Sequence, residues 1–546
     1  MNRCDNIPAE CRRRPDPPMI FPSSRLKPIV CLCWLAAAAA CSNAGTQEGS
    51  LRYGLTLAPS GIDPHIHASV ELGIPLSSVY DTLVFLDPDT GQFVPGLAER
   101  WEVTQDGLRY TFHLRQDVVF HDGSPFDAEA VRANLNRVLD PENRSQRALS
   151  MLGPLREVQV LDDFTVALDL EAPYAPLLDS LSQVYLGMAS PQALEQWGPA
   201  DYQFHQVGTG PYRFVEYLPN DQLTLERNSD YAWAPAIYRK PLAAIDAITF
   251  RFYEDEATRA LALESGEVDV IGELPALEAE RLAVAGEFDI YPIEIPGQPL
   301  QYLFNTQRPP TDDPRVREAL VLGVDRAAIV RTIFGEYSPV AQGPLAAVTL
   351  GFSPGSALPG FDPEGAAELL DASGWRLDTQ GRRARNGDPL RLLLIAPNWG
   401  SNPEVGQLLA SAWEALGAQV DLQVAPGFGP LNEAQQQGEY HAIGMNTFGS
   451  DPDLLRPFFA SDGFFNWSGY RDAGLDLLLD HAAQTSTSED SRLALYAGVA
   501  AKIREQWLIL PVRDYVNLVG ASRDVQGLRF SAQGWFPYLI ELSWRR

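Results

Sequence analysis

Beyond residue 41 the 546-residue sequence has no cysteine; Cys4, Cys11, Cys31, Cys33 and Cys41 are all it contains. That excludes a disulfide framework, a thiolate metal site and a cysteine nucleophile from everything downstream, which must be held together by its core alone. Positive charge is scarce as well: 42 Lys and Arg against 71 Asp and Glu leave a net charge of −29. Such a surface repels nucleic acid and anionic lipid headgroups, so no nucleic-acid partner is expected and any membrane attachment must come from a lipid. The apolar run from Pro28 to Ala40 has 13 residues, short of the roughly 20 that a membrane-spanning helix needs. Seven histidines are scattered with no HExxH pattern, so no metal cage and no cofactor is expected.

What is present is ordinary for a globular protein: 45% hydrophobic, 10% aromatic and 21% charged residues, at a length that suggests two or three folding units. Arg25 and Lys27 precede the apolar run, which ends in Ala36 to Ala40 and Cys41, the layout of a secretory signal. Small residues before a cysteine resemble a lipoprotein processing box, with Cys41 as the lipidated first residue of the mature chain. Ala38 stands where leucine is usual, which leaves plain Ala-x-Ala cleavage open. Met19 gives a more typical signal length than Met1. Residues 41–50 read as a polar tether.

Local patterning then marks out α/β structure. In Leu108, Tyr110, Phe112 and Leu114, apolar residues alternate with Arg109, Thr111, His113 and Arg115, the period of a half-buried strand. Trp101 and Val103 alternate similarly before Asp106-Gly107, which predicts a hairpin. A second turn at Asp122-Gly123 leads to a helix capped by Asp127, with Val131, Leu135, Val138 and Leu139 on one face. Asp313-Pro314 and Asp362-Pro363 open two further helices, the second ended by Gly374. Leu392–Ala396, Pro403–Leu416 and Val420–Val424 predict a βαβ unit with a parallel strand pair.

The run LAERWEVTQDGLRYTFHLRQDVVFHDGSP, residues 97–125, resembles the solute-binding proteins of ABC importers for oligopeptides, dipeptides and nickel chelates (family 5, cluster C). GIDPHIHASVELGIPLSSVYDTLVFL, VGTGPYRFVEY, FNTQRPPTDDPRVREALVLGVDRAAIV and AKIREQWLILPVRDYVNLVGASRDVQGLR resemble further segments of that family in the same order. The resemblance implies a type II periplasmic-binding-protein fold, with two lobes, a hinge near residues 299 and 512, and an extra small subdomain in lobe one. The expected division is signal 1–40, lobe one 51–94 with 205–298 and 513–546, small subdomain 95–204, and lobe two 299–512. It also implies a monomer outside the cytoplasm that captures a peptide or similar small solute and delivers it to an ABC permease, without catalysis. A nickel chelate or other organic solute is the alternative; nickel-chelate binders carry an arginine in the region matching 181–191, which here has none.

Two catalytic-looking patterns fail on context. Gly208-Thr209-Gly210 precedes strand-like sequence, whereas a phosphate loop needs a helix N-terminus. Gly351-Phe352-Ser353-Pro354-Gly355 fits the nucleophile elbow of α/β-hydrolases, but Pro354 has no N–H for an oxyanion hole and Pro359 disfavours the helix that must follow. A secreted hydrolase using Ser353 is therefore a remote alternative.

Ligand contacts are expected in five places. The resemblance puts His67 and Ser69 on the cleft wall. In peptide-binding relatives, the loop matching Met445–Phe459 places an aspartate upstream of a proline turn to hold the peptide's α-amino group. Here Asn446, Thr447, Phe448, Gly449 and Ser450 fill that region, and only Asp451 and Asp453 flank Pro452. Asp451 either replaces that carboxylate or shapes the loop. Aromatic walls suggest Tyr302, Trp399, Trp535 and Phe536; Trp399 stands out because it lies just past the carboxyl end of a strand. Arg456, Arg471 and Arg513 are candidates to neutralise a ligand carboxylate.

Overall fold

Period-two segments became strands wherever one face could be buried. The structure, a computed structural model, describes residues 49–545 apart from residues 58, 60, 68, 357, 486 and 487. The signal, most of the tether and the Cys41 site lie outside the described residues. Tyr110, Phe112 and Leu114 are buried on the strand Arg109–Leu114, which pairs antiparallel with Ala98–Val103 across the Asp106-Gly107 turn, where Gly107 has φ +70°. Trp101 is half-buried but Val103 is exposed, because the hairpin tip extends beyond the core. Thr165–Leu170 and Leu155–Asp162 complete this four-stranded antiparallel sheet. The helix Ala128–Leu139 packs Val131, Leu135 and Val138 inward, and the Asp127 carboxylate accepts from Ala130 N at 2.9 Å.

The two larger sheets position the site. One has seven strands in the order Phe288–Glu294, Val516–Ser522, Val270–Ile271, Ser50–Leu55, Ala247–Phe252, Gln222–Arg227, Tyr212–Leu218; Ser50–Leu55 runs parallel to both its neighbours. The other has five, in the order Gln419–Ala425, Arg391–Pro397, Ala442–Gly444, Leu300–Phe304, Ile509–Arg513, of which the first three are mutually parallel. The expected βαβ unit is Arg391–Pro397, the helix Asn402–Ala415 and Gln419–Ala425. The chain passes between the sheets twice, from Glu294 to Leu300 and from Arg513 to Val516. One hydrophobic cluster runs through both the seven-stranded and the four-stranded sheets, whereas the five-stranded sheet has a separate cluster on each face.

Buried polar groups fix the first of these cores. Asp81 accepts from Trp233 Nε1 at 3.0 Å, Thr209 Oγ1 at 3.1 Å and Tyr231 OH at 3.1 Å. Asp63 pairs with Arg137 at 2.6 Å, and Arg137 also donates to His65 Nδ1. His65 is therefore a core fastener: its other nitrogen meets Gly187 O at 2.9 Å, and burial lowers its pKa to about 4. No helix among the described residues is long and apolar enough to cross a membrane.

The Gly-Thr-Gly segment is a close-approach device. Gly210 N and Tyr212 N donate to Val79 O and Ser78 O at 2.9 Å each, and a Cβ on Gly208 would lie 2.0 Å from Val79 O. Gly208→Ala is expected to lower the unfolding free energy by about 1–3 kcal/mol. The loss should show as a lower urea midpoint at constant slope; an unmoved midpoint would contradict this contact.

Candidate functional site

Open α/β sheets bind ligands outside the carboxyl ends of their strands. In the five-stranded sheet, Leu394 and Ile395 lie opposite Ala442 and Ile443 on parallel strands, so the segments after Pro397 and Gly444 leave the sheet side by side. A Cβ on Gly444 would lie 2.7 Å from Pro397 Cδ, a measure of that proximity. Trp399 is 37% exposed, and Asn446 and Thr447 are half-buried. None of these three side chains bonds to a described residue.

The parallel strands of the seven-stranded sheet end at Leu55, Phe252 and Ile271, and Thr56, Tyr253 and Glu273 lie just past those ends. Thr56 N donates to Glu71 Oε2 at 2.9 Å, and Thr56 Oγ1 lies 2.8 Å from Glu71 Oε1 and 2.6 Å from Glu273 Oε2. One hydroxyl proton cannot serve two carboxylates. The arrangement is complete when Glu71 keeps its own proton and donates to Thr56, which donates in turn to Glu273. Consistently, burial and next the neighbouring Glu273 charge raise the Glu71 pKa to about 7. Tyr515 OH donates to Glu273 Oε1 at 2.8 Å, and Glu273 N donates to Asn517 Oδ1 at 2.7 Å. Glu273 is held at φ +49°, a left-handed conformation that a non-glycine residue adopts only when its surroundings impose it.

The two edges meet at the chain crossings. Gln298 N donates to Thr447 O at 2.8 Å, Thr447 N to Gln298 Oε1 at 3.1 Å, and Gly449 N to Pro296 O at 3.1 Å. The 446–449 loop is thereby sewn to the first crossing. Phe448 sits against Tyr515, with centroids 4.9 Å apart, and against Trp535 at 5.4 Å. Gly297 is required here: its φ is +136°, and a Cβ would lie 2.6 Å from Phe448 Cα. On the other side of Tyr515, a Cβ on Gly400 would lie 3.6 Å from its hydroxyl.

Several expected contacts lie elsewhere. Tyr302 is fully buried, its hydroxyl donating to Asn402 O at 3.0 Å, so it braces the helix that follows Trp399 instead of lining a cleft. Phe536 is buried against Gly73. Trp535 is buried in the aromatic triad. The ring of His67 turns back on its own loop, with Nδ1 3.2 Å from Asp63 N; the hydroxyl of Ser69 bonds to no described residue, while its carbonyl accepts from Tyr185 OH at 2.8 Å. Asp451 is a loop-shaper: Arg492 grips its oxygens at 2.5 and 2.8 Å, and it accepts from Asp453 N at 2.8 Å. Ser450 Oγ donates to Asp179 Oδ1 at 2.5 Å, bringing the small-sheet region against the five-stranded half, where Ala175 N also donates to Ala483 O at 2.7 Å. Burial, then the Asp451 charge, raises the Asp179 pKa. Arg456 is committed to Asp453 and Asp480, and Arg471 is exposed. Ser353 is followed only by a single 3-10 turn, Pro354–Ser356, not by the helix of an elbow. Sequence reasoning missed Thr56, Glu71, Glu273 and Tyr515; the strand-end rule that singled out Trp399 also finds Glu273, two residues past Ile271.

Two tests follow from these contacts. In the unfolded chain Glu71 ionises near its ordinary value, whereas in the native fold it does so near 7. Stability therefore falls as pH rises from about 4.5 to 7, and the full cost applies above 7. Glu71→Gln should be more stable than wild type at pH 8, by roughly 1–3 kcal/mol, and equal to it near pH 4; parallel melting curves across pH would refute the proton assignment. Asp451→Ala strands the buried Arg492 and should cost about 3–5 kcal/mol in urea unfolding, with most of the loss recovered in Asp451→Ala/Arg492→Met. A small loss in the single variant would mean that this pair does not shape the loop.

Residues 92–466 match the model of the bacterial extracellular solute-binding proteins, family 5. The glutathione-binding protein GsiB of Pectobacterium atrosepticum is 33% identical over 461 residues, covering 81% of this chain and 84% of the relative. The nickel-binding periplasmic protein of Escherichia coli is 27% identical over 490 residues, covering 85% and 89%. The crystal structure of NikA from Brucella suis in complex with Fe(III)-EDTA aligns with a TM-score of 0.81 at 26% identity, covering 91% of this chain and 100% of that one. With its two large sheets joined by two crossings, the chain belongs to the bacterial extracellular solute-binding proteins of family 5: a two-lobed periplasmic-binding-protein fold that binds a solute for an ABC transporter and is not an enzyme.

Proposed function

We propose that this chain captures a peptide or similar small organic solute between its lobes and delivers it to an ABC permease. The observation that carries this reading is the meeting of two strand-end edges at Tyr515. One edge offers the unbonded side chains of Trp399, Asn446 and Thr447; the other offers the Glu71–Glu273 pair. An aromatic wall with a few placed polar groups suits a solute of this size, and the Glu273 carboxylate of that pair suits an ammonium group. The glutathione-binding relative supports a peptide-like solute. A nickel chelate is the second reading, supported by the NikA neighbour with its polycarboxylate complex; the Glu71–Glu273 pair weighs against an anionic chelate.

On this reading lobe one comprises 51–94, 205–298 and 513–546 with the small subdomain 95–204, and lobe two comprises 299–512. The protein works as a monomer outside the cytoplasm, exported through the Arg25 to Cys41 signal and held at the membrane by lipid on Cys41. Solute favours the closed arrangement only through contacts that the open one lacks.

Native mass spectrometry of the purified mature protein identifies a co-purified solute, and calorimetry then measures its affinity. Trp399→Ala should weaken binding about 10- to 100-fold, as loss of an aromatic anchor does. An unchanged affinity would place the solute elsewhere.

A further inference from the structure

Six described arginines are buried: Arg259, Arg317, Arg326, Arg383, Arg492 and Arg513. Five have their guanidinium groups occupied. Arg259 and Arg326 each reach three carbonyl oxygens, and Arg317 reaches four. Arg383 and Arg492 each combine a carboxylate with carbonyl oxygen. This is the usual condition for burying a guanidinium, because an unpaired charge in the interior costs several kcal/mol.

Arg513 breaks the pattern. It is 5% exposed, its NH1 donates to Ser338 Oγ at 3.0 Å, and among the described residues its Nε has no partner and no carboxylate forms an ion pair with it. What it has instead is two aromatic faces: its guanidinium carbon lies 3.9 Å from the Phe334 centroid and 4.2 Å from that of Tyr515. The faces stabilise the charge and hold the planar fork in one orientation, while of its in-plane donors NH1 is spent on Ser338 and Nε has no described partner. Burial pulls its pKa below the usual arginine range, outweighing the opposing pull of Tyr515, Glu273 and Asp514.

Its position fits a ligand role. Ile509–Arg513 runs antiparallel to Leu300–Phe304, which runs antiparallel to Ala442–Gly444, so Arg513 ends its strand at the same edge from which Asn446 and Thr447 emerge. It is also the first residue of the second crossing, two residues before the Tyr515 that bonds Glu273.

The geometry points to Arg513 as the receptor for a carboxylate of the solute, which its free guanidinium edge engages between the lobes while Phe334 and Tyr515 hold the fork in place. This rests on the reading of the interlobe region as the solute site and adds a chemical class to it: the solute bears a carboxylate, and removing that group removes a charge-assisted, bidentate contact.

The test uses the full mature chain and four probes at matched ionic strength: trialanine, its C-terminal amide, sodium acetate and sodium chloride. Thermal shift and calorimetry are run on wild type, Arg513→Gln and Arg513→Lys. Wild type should bind trialanine at least tenfold more tightly than the amide, and acetate should stabilise it more than chloride does. Arg513→Gln should erase both differences, and Arg513→Lys, which keeps the charge but not the fork, should retain part of each. If Arg513→Gln fails to fold, wild type against Arg513→Lys decides. Acid and amide binding alike would overturn the inference while leaving the peptide reading intact. An acetate effect that depends on Arg513, with neither peptide form bound, would uphold the inference and overturn the peptide reading. No difference in either pair of probes, or differences that survive in Arg513→Gln, would overturn the inference.

Discussion

The two crossings at residues 294–300 and 513–516 are the constraint on which the rest of the molecule depends. They are the covalent links between the seven-stranded and five-stranded sheets, and both run through the place where the carboxyl ends of those sheets meet. Two features of the candidate site are bonded to these crossings, Glu273 and the Thr447–Gly449 loop. Tyr515 lies on the second and holds Glu273. Gln298 and Pro296 lie on the first and hold the Thr447–Gly449 loop. On the proposed reading, binding site and hinge share these few residues, so that a contact made to one bears on the other.

Charge is organised around this junction by burial as much as by pairing. Burial and the neighbouring Glu273 charge let Glu71 keep a proton near neutral pH, with the Thr56 hydroxyl set between the two carboxylates. A short way off, an arginine is held between aromatic rings without a carboxylate partner. Elsewhere the buried ions are conventionally satisfied, as in Asp63 with Arg137 and Asp451 with Arg492. The contrast separates groups that hold the fold from groups left available.

Much of the fold was legible because its determinants are local. The Asp106-Gly107 turn, the Asp127 cap and the alternation at Tyr110, Phe112 and Leu114 each span a few residues and depend on backbone geometry alone. The site was legible only in part. Trp399 and the Asn446–Thr447 pair follow from where strands end. Glu71 and Glu273 do not follow from any local pattern, since their shared partner Thr56 lies 15 residues from one and 217 from the other. Tyr302 and Phe536 show the opposite failure: an aromatic beside a strand end reads the same in sequence whether it faces a cleft or the core, and only packing decides. Asp451 belongs to this class too, because the residue that claims it, Arg492, is 41 positions away.

The stitching of the 446–449 loop to residues 296–298 bears on how the two halves travel. A segment hydrogen-bonded to the axis of a rotation sweeps through little distance, whereas one farther out, such as the Trp399 turn, sweeps through more. In a rotation about the two crossings, as the proposed function requires, Asn446 and Thr447 belong to the pivot and keep nearly fixed positions relative to Tyr515, and the indole of Trp399 is the part that travels. On that reading a solute rests against the pivot before the Trp399 turn closes over it, and first contact and enclosure are separate events made by different residues of the same half.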